Sequence, residues 1–186
     1  MWKTEKSFDI CDLGSNMVLI LFDEEYDLDH ILMRGPWSFG KYLIGLYKLE
    51  RNKSVKNAWF DKASFWVQIH DLPIQHTYKV NAKAIGNSEG FIEQEDASPT
   101  GDCRGRCLRI RINIYIGQTL CQGIKVDIGE SSPQCVSFQY ERMPIFCYWC
   151  RLLNHDERDC KLWVHSKGTL QKEDQQYGVW LKTSNT

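Results

Sequence analysis

Cys147, Cys150, His155 and Cys160 follow one another at the spacing C-x2-C-x4-H-x4-C. Two cysteines two residues apart can turn back onto a single metal ion. The next two donors then arrive from a loop just long enough to close a tetrahedron. Three thiolates and one imidazole suit zinc, which is soft enough for sulfur, redox-silent and content with four ligands. One Zn2+ is therefore expected on these residues. Read instead as a redox pair, Cys147 and Cys150 would need a strand-to-helix setting, and His155 and Cys160 would be left without a role.

The spacing is that of a zinc knuckle, a recurrent module for single-stranded nucleic acid. Contact would combine stacking with charge. Tyr148 follows the first cysteine and is the first candidate to lie against a nucleobase, with Trp149 and Trp163 as further candidates and Arg151 beside them. Stacking on an aromatic contributes roughly 1–3 kcal/mol per base and tolerates any sequence. The charge near the knuckle is balanced, however: Arg142, Arg151, Arg158 and Lys161 face Glu141, Asp156, Glu157 and Asp159. The missing positive charge is expected from Arg109 and Arg111. They alternate with Leu108, Ile110, Ile112, Ile114 and Ile116 in a strict period of two, which places the arginines on one face of a strand and the aliphatic residues in the core.

The other cysteines, Cys11, Cys103, Cys107, Cys121 and Cys135, read as buried or incidental thiols. Cys103-x3-Cys107 has no second His or Cys pair at a familiar spacing. His70-Asp71 is an adjacent acid–imidazole pair at the end of a predicted strand, and no nucleophile motif, phosphate-cradling Gly loop or metallohydrolase signature accompanies it. Neither an enzyme nor a small-molecule substrate is expected. Trp37, Trp59 and Trp66 sit beside apolar segments and read as core or staple residues.

The 186 residues are 42% hydrophobic and 25% charged, ordinary for a globular protein. The longest apolar run, Met17–Phe22, falls far short of the roughly 18–20 residues of a membrane span. The opening Met-Trp-Lys-Thr-Glu-Lys lacks the apolar stretch of a signal peptide. Eight cysteines without a leader point to a reducing compartment, nuclear or cytoplasmic. Charge is uneven: residues 1–36 carry three basic residues (Lys3, Lys6, Arg34) against eight acidic ones, whereas 103–125 carry five basic residues and no acid.

The elements that must position the site read as follows. Phe8–Phe22 forms two strands about Gly14-Ser15-Asn16, acids at Asp23–Glu25 open a helix that Gly35-Pro36 stops, and Tyr42–Leu49 is a buried strand. This is the later portion of a ferredoxin-like unit over residues 1–57. Residues 58–140 form a second, mostly antiparallel α+β block: strand Phe65–Ile69, helix Tyr78–Gly86, strand Phe91–Glu95, a polar loop at Ala97–Gly105, and a meander of Leu108–Ile116, Gly123–Ile128 and Val136–Tyr140. The knuckle occupies 141–165. The tail, 166–186, is expected to be mostly disordered apart from Tyr177–Leu181.

Four stretches carry a family likeness: Gly35-Pro36-Trp37-Ser38-Phe39; Trp66-Val67-Gln68-Ile69-His70-Asp71-Leu72-Pro73; Phe138-Gln139-Tyr140-Glu141-Arg142-Met143-Pro144 leading into Cys147; and Gln176-Tyr177-Gly178-Val179-Trp180-Leu181. In these the chain resembles plant proteins derived from the first open reading frame of LINE-type retrotransposons, which join a domain of unknown function to a CCHC knuckle. The resemblance implies an N-terminal fold similar to an RNA-recognition motif, and association with nucleic acid. Members usually carry another strand and helix ahead of the segment that starts here, so the first strand of that sheet is expected to be missing. Arg151 and Asn154 stand where such knuckles usually have Gly. Two rival readings accompany single-strand binding: a zinc-stabilised module for a protein partner, and a decayed element fragment without activity.

Overall fold

Period-two alternation builds the central sheet. In β5 (Lys62–His70), Phe65, Val67 and Ile69 are buried, while Ser64, Trp66, Gln68 and His70 face the other way. In β7 (Leu108–Tyr115), Leu108, Ile110, Ile112 and Ile114 turn to the same side. β-Branched and aromatic residues suit such a half-buried pleated surface. With β6 (Phe91–Glu95), β8 (Gly123–Val126) and β9 (Gln134–Tyr140) they form five antiparallel strands in the order β6-β7-β5-β9-β8. The computed structural model describes residues 2–96, 107–129 and 132–183, in two compact units, Met1–Gly35 and Pro36–Thr186.

Helix α2 (Lys79–Gly86) covers the apolar face through Ala82 and Ile85. The core then runs on without a break into the C-terminal region, taking in Leu120, Val136, Phe138, Tyr140, Phe146, Leu153, Tyr177 and Leu181. Tyr140 is fully buried, and its hydroxyl donates to the Cys121 carbonyl at 2.8 Å, which satisfies the one polar atom that burial would otherwise strand. At the open end of the β8–β9 ladder Gly123 allows the two backbones to approach closely: a Cβ there would fall onto the Val136 carbonyl. β9 returns along the free side of β5, so β7 and β8 lie on opposite sides of β5. The β7–β8–β9 meander expected from chain order is replaced by this insertion.

The first unit pairs β1 (Phe8–Gly14) with β2 (Met17–Phe22) and adds helix α1 (Glu25–Met33). Asp27 is buried on α1, where it accepts hydrogen bonds from the Glu5 and Lys6 amides at 2.9–3.1 Å. Those amides hold its carboxyl below the ordinary carboxylate range.

Two expectations change. The strand expected at Tyr42–Leu49 is only β4 (Tyr42–Ile44), and it pairs with β3 (Trp37–Phe39), which directly follows the Gly35-Pro36 helix stop. Beyond Ile44 the ladder ends, and the Phe60 ring packs against Gly45, 3.1 Å from where a Cβ would sit. The strand–strand–helix–strand order is thus present as two separate two-stranded sheets, β1–β2 and β3–β4. Within the tail, the stretch excepted from disorder is packed: Tyr177 is 7% exposed and Leu181 fully buried, Lys182 bridges Tyr140 in parallel, and the Thr183 amide donates to the Tyr140 carbonyl at 3.3 Å. Trp59 is 75% exposed and Trp66 faces away from the apolar core, so neither is the core residue expected. The polar loop at Ala97–Gly105, with Cys103, lies outside the described residues.

Candidate metal centre and its surroundings

The chain enters the knuckle from β9 through Met143–Phe146, all buried. Phe146 and Leu153 face each other in an antiparallel bridge, the Cys147 amide donates to Leu152 O at 3.0 Å, and the Arg151 amide to Cys147 O at 2.8 Å. This closed turn places Cys147 and Cys150 side by side. Reversing the chain that tightly requires positive φ, and the two residues that adopt it are Arg151 (φ 64°) and Asn154 (φ 100°), the positions where glycine is usual. The left-handed backbone of Arg151 is held from three sides. Its carbonyl accepts from the Leu120 amide at 3.1 Å, its amide is bonded to Cys147, and its guanidinium lies 5.5 Å over the Tyr177 ring.

A turn of 3-10 helix, Glu157–Asp159, then carries the chain to Cys160. Asp156 caps it by accepting from the Arg158 amide at 2.8 Å. Cys160 immediately precedes helix α3 (Lys161–Ser166), and the donor atoms of Cys147, Cys150, His155 and Cys160 all lie within 4.8 Å of one another. Zinc bound at about 2.3 Å to sulfur and about 2.0–2.1 Å to nitrogen sets its donors roughly 3.4–3.8 Å apart. The cluster fits that ion in both chemistry and size.

Its protonation pattern follows from position. Burial pushes the Cys147 thiol up to about 12 and raises that of Cys150. Burial acts the same way on Cys160, but the Trp163 and Leu162 amides at the start of α3, with His155 and Cys147, bring it down to about 7. His155 turns Nε2 toward Cys150 Sγ (3.2 Å) and Nδ1 toward Asn154 Oδ1 (2.6 Å). With Nδ1 as the donor, Nε2 is left as the unprotonated face toward the thiols. Asn154 therefore serves twice, as the residue tolerating the turn and as the partner that sets the imidazole.

The residues singled out for nucleic-acid contact fall into three groups. Trp149 and Trp163 stack on each other, centroids 4.8 Å apart and planes 21° from parallel, directly beside the metal ligands. Tyr148 is half-buried against the core, edge-on to Phe146 at 5.4 Å, and burial raises its phenol. Arg109 and Arg111 stand on the polar sheet face but are engaged. Arg109 forms a two-point pair with Glu141 (2.7 and 2.9 Å), reaches Asp96 (3.0 Å) and lies 3.9 Å over Trp66. Arg111 is 3% exposed and bonded to Glu93 at 3.0 Å. The positive face expected of this strand is thus neutralised by carboxylates from β6 and the end of β9. Arg151, Arg158 and Lys161 remain exposed around the knuckle.

His70 and Asp71 turn to different partners: His70 Nε2 to Gln68 at 3.1 Å, and the Asp71 carboxylate to the Ser137 hydroxyl. Cys11 and Cys135 are exposed and Cys107 and Cys121 half-buried, so none of these is the fully buried thiol that sequence allowed. No described helix is long and apolar enough to cross a membrane.

The sequence matches the zinc knuckle family over residues 120–162 and a domain of unknown function, DUF4283, over residues 1–57. The knuckle match begins at Leu120, the residue whose amide bonds to Arg151. The chain is also similar to the uncharacterized protein At4g02000 of Arabidopsis thaliana, 27% identical over 136 residues, covering 72% of this chain and 42% of that protein. It spans less than half the length of this curated relative. No solved structure matches.

Proposed function

We propose that this chain binds single-stranded RNA or DNA, with little sequence preference, through a zinc-ordered knuckle. The observation that carries the reading is the Trp149–Trp163 pair beside the Cys3His cluster, in a segment that matches zinc knuckles. Bound zinc would supply the cross-link that fixes a loop too short to bury a core of its own. Cys147, Cys150, His155 and Cys160 would hold it, with Asn154 orienting the imidazole. The indole pair offers a broad aromatic surface on which a base can stack, which is sequence-tolerant because every base has a π-face. Arg151, Arg158 and Lys161 supply phosphate contacts. The acids nearby stay charged: Asp156 caps the Arg158 amide, Glu157 accepts from Gln175 at 2.6 Å and Asp159 is exposed, so the net positive charge at the knuckle is small.

Few cations take part, so affinity is modest and falls gently with salt, by the equivalent of two or three released counterions. The reading includes derivation from a LINE-type retrotransposon open reading frame, a role in binding and not catalysis, and a reducing nuclear or cytoplasmic location. The four stretches of sequence likeness support the origin, the zinc-knuckle match the binding role, and the thiol-rich donor set the reducing location. The test is Trp163→Ala, measured by fluorescence anisotropy with a labelled single-stranded oligonucleotide and by zinc content. Binding should weaken about tenfold while one zinc is retained. Undiminished binding with zinc in place would move the contact away from the indoles, and no binding by the unaltered chain would favour the protein-partner reading.

A further inference from the structure

The tip of the β3–β4 hairpin carries an exposed aromatic pair that no role yet accounts for. Phe39 and Tyr42 are cross-strand partners, 83% and 57% exposed. Between them lie only Gly40 and Lys41. Gly40 has φ 63°, as the first residue of a two-residue hairpin turn demands. Cross-strand partners project from the same face of a ladder, so Phe39 and Tyr42 leave the same face of the hairpin, with Lys41 beside Tyr42 in the turn.

This tip is tied to the metal centre. The Ile145 amide, two residues before Cys147, donates to Lys41 O at 2.7 Å. The Lys41 ammonium lies 4.0 Å from Asp156, the residue after His155. At the base of the hairpin the Arg142 guanidinium lies 5.8 Å from the Trp37 ring. Two bare rings and a lysine whose side chain is 70% exposed, beside a zinc loop, are the parts of a single-strand platform: faces for bases and a charge for the intervening phosphate. Of the residues adjoining the rings in sequence, Ser38, Gly40 and Lys41 are polar or bare, and the aliphatic Leu43 packs against the core.

We propose that Phe39, Lys41 and Tyr42 form a second base-stacking site, which binds nucleotides adjacent to those on the knuckle within one continuous single strand. This rests on the nucleic-acid reading above, and the two are separable by experiment. Full-length zinc-loaded protein is titrated with labelled oligothymidylates of about four and about twelve nucleotides, the short one sized for the knuckle alone. The longer strand should bind at least tenfold more tightly. Phe39→Ala/Tyr42→Ala should remove that advantage, leave the short strand and the zinc content unchanged, and be rescued by Phe39→Tyr/Tyr42→Phe. Phe91→Ala, which removes a comparably exposed ring from β6, should change nothing. An iodouridine-substituted strand should cross-link to the peptide containing Phe39–Tyr42. If the double variant keeps the full length advantage, or cross-links map only to the knuckle, the second site is refuted. If the unaltered chain binds neither strand, the nucleic-acid reading itself fails and the platform falls with it.

Discussion

Asn154 gives the sharpest test of how this knuckle is built, because its two duties can be removed separately. Asn154→Gly keeps the backbone free to adopt φ near 100° but deletes the 2.6 Å partner of His155 Nδ1. Loss of an outer-shell partner costs roughly 10–100-fold in metal affinity. Asn154 is exposed, so water replaces part of the bond and the lower end applies, about tenfold or about 1.4 kcal/mol. Asn154→Ala deletes the bond and also places a Cβ in the left-handed region, which costs about 1–2 kcal/mol more. Its zinc affinity should fall roughly 50- to 300-fold. Asn154→Asp keeps an acceptor for Nδ1–H and should bind at least as well as the original. Competition against a chromophoric chelator at fixed pH reads all four proteins. The reasoning is refuted if Asn154→Gly binds zinc as tightly as Asn154 does, for the side chain would then contribute only its tolerance of the turn.

Two further outcomes follow from the packing. Glu141 is held below its ordinary range by its pair with Arg109, so the stability it contributes is present above about pH 4.3 and is lost as pH falls through the folded-state value. Urea midpoints should therefore drop on acidification below about pH 4.3, and Glu141→Gln should flatten that drop; parallel curves for the two proteins would show that the pair contributes nothing. Leu181 is fully buried, and Leu181→Ala should cost about 2–5 kcal/mol of stability in urea unfolding and open the 172–183 segment to protease. A change below about 1 kcal/mol would mean that the tail is not part of the core.

Where local pattern decides structure, the sequence was enough to read it. The alternating runs of β5 and β7, the helix at 79–86 and the metal donors depend on neighbours a few residues away, and these stand as expected. What was not legible depends on partners brought from elsewhere. The Arg109–Arg111 face looked like a phosphate site because a strand pattern shows direction but not company; Glu93 and Glu141 arrive from β6 and the end of β9. Tyr177–Leu181 stood out from the polar tail, but nothing local shows that Tyr177 and Leu181 complete the core that Phe146 and Leu153 begin. Gly35-Pro36 reads as a helix stop, and the brief β3–β4 ladder behind it is too short to leave a signal of its own. For Asn154, its place where glycine is usual pointed to the positive φ, but not to the bond with His155.

The most direct test of the account is the binding of a labelled single-stranded oligonucleotide by one preparation carried through three states: as loaded with a measured equivalent of zinc, after chelation, and after zinc is restored. The account predicts one zinc per chain, binding in the loaded state, its loss on chelation and its recovery on reloading, with Cys150→Ser inert throughout. Equal binding by the chelated protein, or one full zinc retained by Cys150→Ser, would contradict it.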